Sequence, residues 1–254
     1  MDNLFSLEGK TFLVAGGTRG IGRAISLQFA RDGARVVANY VRDARSAQAL
    51  ADQAAKEGLT LSVCRADLTS AKGLAHLDGY LNGHAASLTG LVFCAATGVH
   101  KTFEESRARH FDWTFALNVK AFFELTMLLM PRLKAPASIV ALSSQGARQV
   151  VPFYSLIGSS KGALESLARH MAVELAPKGI RVNILSPGAV RTGAWAVMPN
   201  GEARLAGAER RSPLGRLTSA EEAARAAQFL CSEAAAGIVG QTIIVDGGLS
   251  LVGE

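Results

Sequence analysis

Ala15-Gly16-Gly17-Thr18-Arg19-Gly20-Ile21-Gly22 follows the apolar run Thr11–Ala15 and opens a segment in which Ile21, Ile25 and Phe29 recur at helical spacing until Gly33. A strand that turns through glycines directly into a helix brings free N–H groups and the positive end of the helix dipole to one point. Glycine there lets the chain bend tightly and lets a pyrophosphate come close to the backbone. A glycine cluster by itself marks any tight turn. Its place at the first strand-to-helix turn makes Gly16, Thr18, Arg19, Gly20, Ile21 and Gly22 candidates for holding a dinucleotide.

Outward from this turn, apolar runs recur at Arg35–Asn39, Leu59–Cys64, Leu88–Ala95, Ser138–Leu142, Arg181–Leu185 and Thr242–Val245. Each reads as a buried strand. Between them lie helical patterns such as Ala163, Leu164, Leu167, Met171 and Leu175 before Pro177. Strands apolar along their whole length and alternating with helices predict an α/β fold: one Rossmann-type doubly wound parallel sheet of seven strands, with helices on both faces. The 254 residues are 49% hydrophobic and 19% charged, without repeats or a low-complexity linker, so residues 1–254 read as one domain.

Composition excludes several function classes. The net charge of +6 comes from dispersed Lys and Arg with no aromatic-rich basic stripe, which argues against nucleic acid and suits an anionic cofactor or substrate. Arg204, Arg210, Arg211 and Arg216 cluster late in the chain among Glu202 and Glu209, reading as a solvated helix face or a dock for an acidic partner. Cys64, Cys94 and Cys231 match neither a disulfide framework nor a zinc site, and the five histidines never recur at one-turn spacing. Reduced, mostly buried thiols and no metal are expected. The N-terminus lacks a basic region followed by a long apolar run, and nowhere do about 18 apolar residues run together. A soluble cytoplasmic protein without membrane association is expected.

The end of the second strand selects between nicotinamide cofactors, because an acidic residue there binds both ribose hydroxyls and repels a 2′-phosphate. Asn39-Tyr40-Val41-Arg42 has no carboxylate, and Arg19 and Arg42 offer guanidinium groups to a phosphate, so NADPH is expected over NADH. Asp67, ending the third strand, is a candidate acceptor from the adenine amino group or an N-cap for the helix after Thr69.

Further motifs carry a family resemblance. Asn118 in Leu-Asn-Val-Lys, Ser143-Ser144-Gln145-Gly146 after strand five, Pro187-Gly188-Ala189-Val190-Arg191-Thr192 after strand six, and the closing Gly240–Gly248 stretch resemble the short-chain dehydrogenase/reductase family over almost the whole chain. The resemblance implies that Gly188, Val190 and Thr192 hold the nicotinamide end, that Tyr40, Leu68 and Ala95 line the adenosine end, and that Lys161 binds the nicotinamide ribose. It also implies a homo-tetramer built on long helices around Phe111–Leu133 and Tyr154–Ala176. Three departures stand out. The opening Thr is Ala15, the paired Asn of strand four are Phe93-Cys94, and the catalytic Tyr is absent from its usual place four residues before Lys161, where Ile157 stands.

Tyr154 lies seven positions before Lys161. Seven residues are nearly two turns at about 3.6 residues per turn, so the same helix face is kept while the phenol moves along the axis. Carbonyl reduction delivers proton and hydride to adjacent atoms. Conjugate reduction sends hydride to the β-carbon and collects charge on the thioester oxygen, which requires a more distant donor. With Ala96-Thr97-Gly98-Val99 and Phe111-Asp112-Trp113-Thr114, this spacing is similar to that of the NADPH-dependent enoyl-acyl-carrier-protein reductases of the third bacterial type, enzymes of fatty acid biosynthesis. That likeness implies an acyl thioester substrate, on coenzyme A or an acidic acyl carrier protein. Tyr154 would protonate the enolate oxygen and Lys161 would stabilise its charge. Ser144 would add a hydrogen bond or cap the strand-to-loop turn, and Asn118 would hold a water or brace helix four. Residues 193–213, with Trp195, Met198 and Pro199, are expected to form a mobile lid over the acyl chain, with Phe153 lining the pocket. The rival readings are a 3-oxoacyl or ketone reductase of the same family and a non-catalytic dinucleotide sensor or scaffold.

Overall fold

Each apolar run forms a strand: β1 Thr11–Ala15, β2 Arg35–Tyr40, β3 Leu61–Arg65, β4 Leu88–Phe93, β5 Leu133–Leu142, β6 Ile180–Pro187 and β7 Thr242–Val245. In the computed structural model, which describes residues 3–252, they make one sheet in the order β3-β2-β1-β4-β5-β6-β7, every neighbouring pair parallel. Met1, Asp2, Gly253 and Glu254, included in the expected single domain, lie outside the described residues. The helices are α1 Gly20–Arg31, α2 Ala44–Lys56, α3 Ala71–His84, α4 Ala108–Phe115, α5 Ala121–Leu129, α6 Ser155–Leu175, α7 Gly201–Arg211 and α8 Ala220–Cys231. The sheet is a seven-stranded Rossmann-type fold with helices on both faces.

Alternation along the strands sends side chains into two cores. From β1, Phe12 and Val14 join Phe29, Val36, Val140 and Leu230 on one face, while Leu13 and Ala15 join Phe93, Phe122, Leu164 and Ile184 on the other. Phe12 meets Phe29 edge-on at 4.9 Å between ring centroids, an arrangement worth about 1 kcal/mol beyond burial alone. Both faces of the central strands are thus dry, which is why these strands are near-continuously apolar rather than apolar at every second position.

Several strand ends move by one or two residues from expectation, and two boundaries move further. The strand expected over Ser138–Leu142 begins at Leu133, which pairs with Leu88 before an irregular step in the ladder. The helix expected over Phe111–Leu133 therefore ends at Leu129, ahead of Pro131, whose ring disfavours helical backbone just before it. That helix is also interrupted. Ala116–Lys120 forms a wider π-type turn between α4 and α5, and Asn118 sits in it.

The chain reverses strand order beside β1, so the loops after β1, β4, β5 and β6 open into one crevice at the carboxyl ends of the strands. No helix among the described residues is long and apolar enough to cross a membrane.

Candidate active site

The glycine turn is built for close approach. Gly16 has φ +72, and a Cβ there would lie 2.8 Å from the Ala95 nitrogen, so a side chain fits neither the torsion nor the space. Ser26 Oγ donates to the Gly17 carbonyl at 2.9 Å and ties the turn to α1. Arg19, the N-cap of α1, makes no side-chain bond to the first-turn amides, leaving these donors aimed at the crevice. Thr18 is buried, and Gly20 stands against the Thr192 methyl, so the loops after β1 and β6 face each other. This cradle fits a pyrophosphate.

At the far end of the crevice, Asn39 braces rather than binds: its amide donates to the Ala66 carbonyl at 3.0 Å. Asp43 lies close to the β2 terminus, but its oxygens accept from Ser46 N and Ser46 Oγ at 2.9 and 2.7 Å as the cap of α2. Arg19 bears on Asp43 and Arg42 on Asp67, adding to the hydrogen bonds that hold both carboxyls below their ordinary range. Asp67 is not the N-cap of α3. Its Oδ1 accepts from the Thr69 amide and hydroxyl, and Ser70 caps the helix by accepting from Gly73 N at 3.0 Å. The short Asp side chain closes a turn onto the residue two ahead, leaving the cap to the next hydroxyl in reach. Leu68, expected at the adenosine end, buries its side chain in the core, so only its backbone could face a ligand. Near the nicotinamide end, a Cβ on Gly188 would lie 2.6 Å from Asp246 Cβ, and Val190 is buried.

Tyr154 is not inside α6 but at its mouth. It is the N-cap residue, with φ −127 and ψ 11, and its carbonyl accepts the first helical bond from Gly158 N at 2.7 Å. Phe153 before it has φ +61, a torsion that turns the chain sharply into the helix and that bulky residues rarely adopt. The Tyr154 ring occupies a slot. A Cβ on Gly146 would lie 2.6 Å from ring atom Cδ1, one on Gly158 would lie 3.6 Å from the same atom, and His100 stacks on the ring at 5.8 Å between centroids. Burial raises the Tyr154 phenol, and the nearby Ser144 hydroxyl opposes that rise. Ser144 Oγ is buried and completes no full hydrogen bond, and it does not cap the turn that follows.

Lys161 is 3% exposed and donates from Nζ to the Leu142 carbonyl at 2.7 Å. Burial lowers it to about 8, against opposing influence from Cys94 and Glu165. Ile157, where a family Tyr is expected, is buried against Gly98. Asn118 Oδ1 accepts from Thr97 N at 2.8 Å, and Nδ2 donates to Thr97 O and Ser160 Oγ at 2.9 and 2.8 Å. It therefore braces the loop after β4 against α6. The three thiols are free; Cys64 and Cys231 are buried and Cys94 is half-buried. Among the described residues no cluster of His, Cys, Asp and Glu comes together to hold a metal.

A cavity of about 360 Å³ opens beside Tyr154, with Phe103, Val150, Val151 and Phe153 among its walls. Residues 193–213 fold as a tight helical turn at Gly193–Val197 followed by α7. Trp195 Nε1 donates to the Val190 carbonyl at 2.9 Å, and Arg204 donates to the Pro152 carbonyl at 3.1 Å, two residues from Tyr154. Two residues in this region escaped sequence reasoning. His100 lies in a loop with no periodic signal, whereas Glu165 stands one helical turn beyond Lys161, a spacing that marks neighbours.

A family described as Enoyl-(Acyl carrier protein) reductase matches residues 15–250. The chain is a short-chain dehydrogenase/reductase. Among solved structures, this short-chain dehydrogenase/reductase is similar to a short chain dehydrogenase from Burkholderia cenocepacia J2315 in complex with NADP, at 28% identity and a TM-score of 0.88, over 96% of this chain and 99% of that one. It is similar to a 1-cyclohexenylcarbonyl-CoA reductase of Streptomyces collinus, 34% identical over 94% of this chain and 86% of the relative. It is also similar to the hydroxynaphthalene reductase-like protein Arp2 of Metarhizium robertsii, 33% identical over 96% of each. As a short-chain dehydrogenase/reductase with reductase relatives, the chain is an oxidoreductase that works with a nicotinamide dinucleotide.

Proposed function

We propose that the protein is an NADPH-dependent reductase of the carbon–carbon double bond of an enoyl thioester. The observation that carries this reading is the placement of Tyr154 at the mouth of α6, seven residues before Lys161, with an apolar Ile157 in the position from which a carbonyl reductase would donate its proton. The dinucleotide supplies a hydride when bound. Gly16, Thr18, Arg19, Gly20, Ile21 and Gly22 would hold its pyrophosphate, Tyr40, Arg42, Asp67, Leu68 and Ala95 its adenosine end, and Lys161, Gly188, Val190 and Thr192 its nicotinamide end.

Tyr154 keeps its proton at neutral pH because burial raises the phenol, and it donates that proton to the thioester oxygen on which charge collects. Lys161 places a positive charge in a water-poor site, where it stabilises the developing anion more strongly than it would in water. Ser144 adds a second donor toward the same oxygen, since its buried hydroxyl has no complete bond elsewhere. Asn118 acts by bracing. The cavity beside Tyr154 takes the acyl group, and residues 193–213 close over it. The carrier is coenzyme A or an acidic acyl carrier protein, the latter suited to Arg204, Arg210 and Arg211 on α7. NADPH is favoured because the carboxylates nearest the β2 terminus are committed to Ser46 and Thr69 while Arg19 and Arg42 face the same end.

The Streptomyces relative is named for a substrate with a double bond conjugated to a thioester, which supports this choice. A second reading, reduction of a ketone, is favoured by relatives named as hydroxynaphthalene reductase-like and tropinone reductase homologues. Incubation with NADPH and crotonyl- or acetoacetyl-thioester separates the two: turnover of the crotonyl substrate is expected, and turnover of the oxo substrate alone overturns the enoyl reading. A homo-tetramer is also proposed, supported by Phe111, Trp113, Phe123 and Met127 standing exposed on α4 and α5 and Val173 on α6. A sedimentation mass of one chain would refute it.

A further inference from the structure

Glu165 lies on α6 one turn beyond Lys161, is 5% exposed, and has no part in the chemistry above. A carboxylate so far from water needs partners. Its Oε1 accepts from the Ser143 hydroxyl at 2.6 Å. Ser143 stands between Leu142, whose carbonyl anchors Lys161 Nζ, and Ser144. Glu165 thus grips the end of β5 at the residue flanked by both site elements. Arg148, in the turn that follows Ser144, comes within 3.9 Å of the same Glu165 oxygen and donates to Ser186 Oγ on β6 at 2.8 Å, while Arg169 on α6 lies 4.0 Å from Oε2. The network joins β5, β6, α6 and the turn leading toward Tyr154.

Two anion-forming groups bear on Lys161: Glu165 from its own helix and Cys94 from the end of β4. Burial pushes the Cys94 thiol up to about 12, so it is neutral at physiological pH and brings no charge to Lys161 there. Arg148 and Arg169 face Glu165 only at the margin of ion-pair distance, leaving its field directed in part toward Lys161.

We propose that Glu165 is a positioning residue of this site: through Ser143 it holds the end of β5 that carries Ser144 and anchors Lys161, and it supplies the negative charge that faces the Lys161 ammonium. The inference rests on the enoyl reading only for what is turned over. Glu165→Gln keeps an acceptor for Ser143 and removes the charge, whereas Ser143→Ala keeps the charge and removes the bond. Lys161 is titrated in each full-length protein by carbon-detected NMR of its ε-methylene, assigned with Lys161→Arg, and turnover is measured with whichever thioester the unmodified protein reduces. Glu165→Gln is expected to move the Lys161 midpoint down by about one pH unit, the size of one nearby charge. Ser143→Ala is expected to leave that midpoint in place and to lower kcat about tenfold at unchanged KM for NADPH, as loss of positioning does.

A folded Glu165→Gln protein with an unmoved midpoint overturns the electrostatic half, and a Ser143→Ala protein with unchanged kcat overturns the positioning half. Should Glu165→Gln fail to fold, Glu165→Asp serves in its place: it keeps the charge but withdraws it, and an unmoved midpoint counts against the proposal equally. The midpoint is read without substrate. A failure there condemns the role of Glu165, while failure of the unmodified protein to reduce crotonyl-thioester condemns only the enoyl reading.

Discussion

The Tyr154 ring packs directly on Gly146, so closely that a methyl group at Gly146 would come within 2.6 Å of the ring. With Gly158 behind the ring and His100 stacked on it, the ring is in contact on three sides. Gly146→Ala is therefore expected to displace the hydroxyl by a fraction of an ångström to an ångström and to reduce kcat by about 10²-fold, with NADPH affinity unchanged. Stopped-flow turnover and cofactor fluorescence titration check this, and full activity would show that the slot can widen.

Lys161 sets the alkaline behaviour. Its value is lowered from the usual 10.5 to about 8, first by burial, so its charge is lost as pH rises through about 8, and turnover should fall on that side. The linkage to stability has the opposite slope. Between about 8 and 10.5 the unfolded chain binds the Lys161 proton more tightly than the folded one, so this group makes folding more favourable as pH rises across that window. A kcat profile and melting temperatures over the alkaline range test both, and Lys161→Met should abolish this group's contribution to the rise.

Removing the phenol oxygen should cost turnover without cost to binding. Tyr154→Phe is expected to lower kcat by about 10²–10⁴-fold, the usual worth of a positioned proton donor, at unchanged NADPH affinity. Wild-type turnover in this variant would leave Tyr154 a packing residue.

Moving the phenol to the family position should not create a ketone reductase. Ile157 is buried against Gly98, so Ile157→Tyr overfills a closed space and is expected to destabilise the fold by about 1–3 kcal/mol. Denaturant unfolding measures that loss, and acetoacetyl-thioester turnover by this variant would contradict the reading of position 157 as closed to a proton donor.

Cofactor choice should respond to Arg42. Arg42→Ala is expected to raise KM for NADPH by about tenfold or more while leaving NADH unchanged, because only the former has a 2′-phosphate for the guanidinium to pair. Equal effects on both would place Arg42 outside the ribose site.

The glycine turn and the seven apolar runs were sufficient for the parallel sheet, because dry faces on both sides demand continuous apolar strands and a βα turn demands glycine where Gly16 has positive φ. What could not be read depended on tertiary contact. Nothing local announces that Phe153 takes φ +61 and so places Tyr154 at the helix mouth instead of within it. Asp67 could be read as the cap of α3, and only the fold shows its side chain bonded to Thr69 with Ser70 capping the helix. Asn118 offered two roles, and its bracing bonds to Thr97 in the loop after β4 and to Ser160 on α6 became visible only in the fold. His100 came into view only once its loop had folded over the Tyr154 ring.

The walls of the Tyr154 slot come from three distant stretches of chain: His100 after β4, Gly146 after β5, and Gly158 in the first turn of α6. The nucleotide cradle, by contrast, rests mainly on β1 and the start of α1. A chain whose second half has loosened thus keeps much of its means of gripping phosphate while losing its proton donor. Chemical competence is the more demanding report on tertiary order, and under mild denaturant activity should vanish before nucleotide binding does.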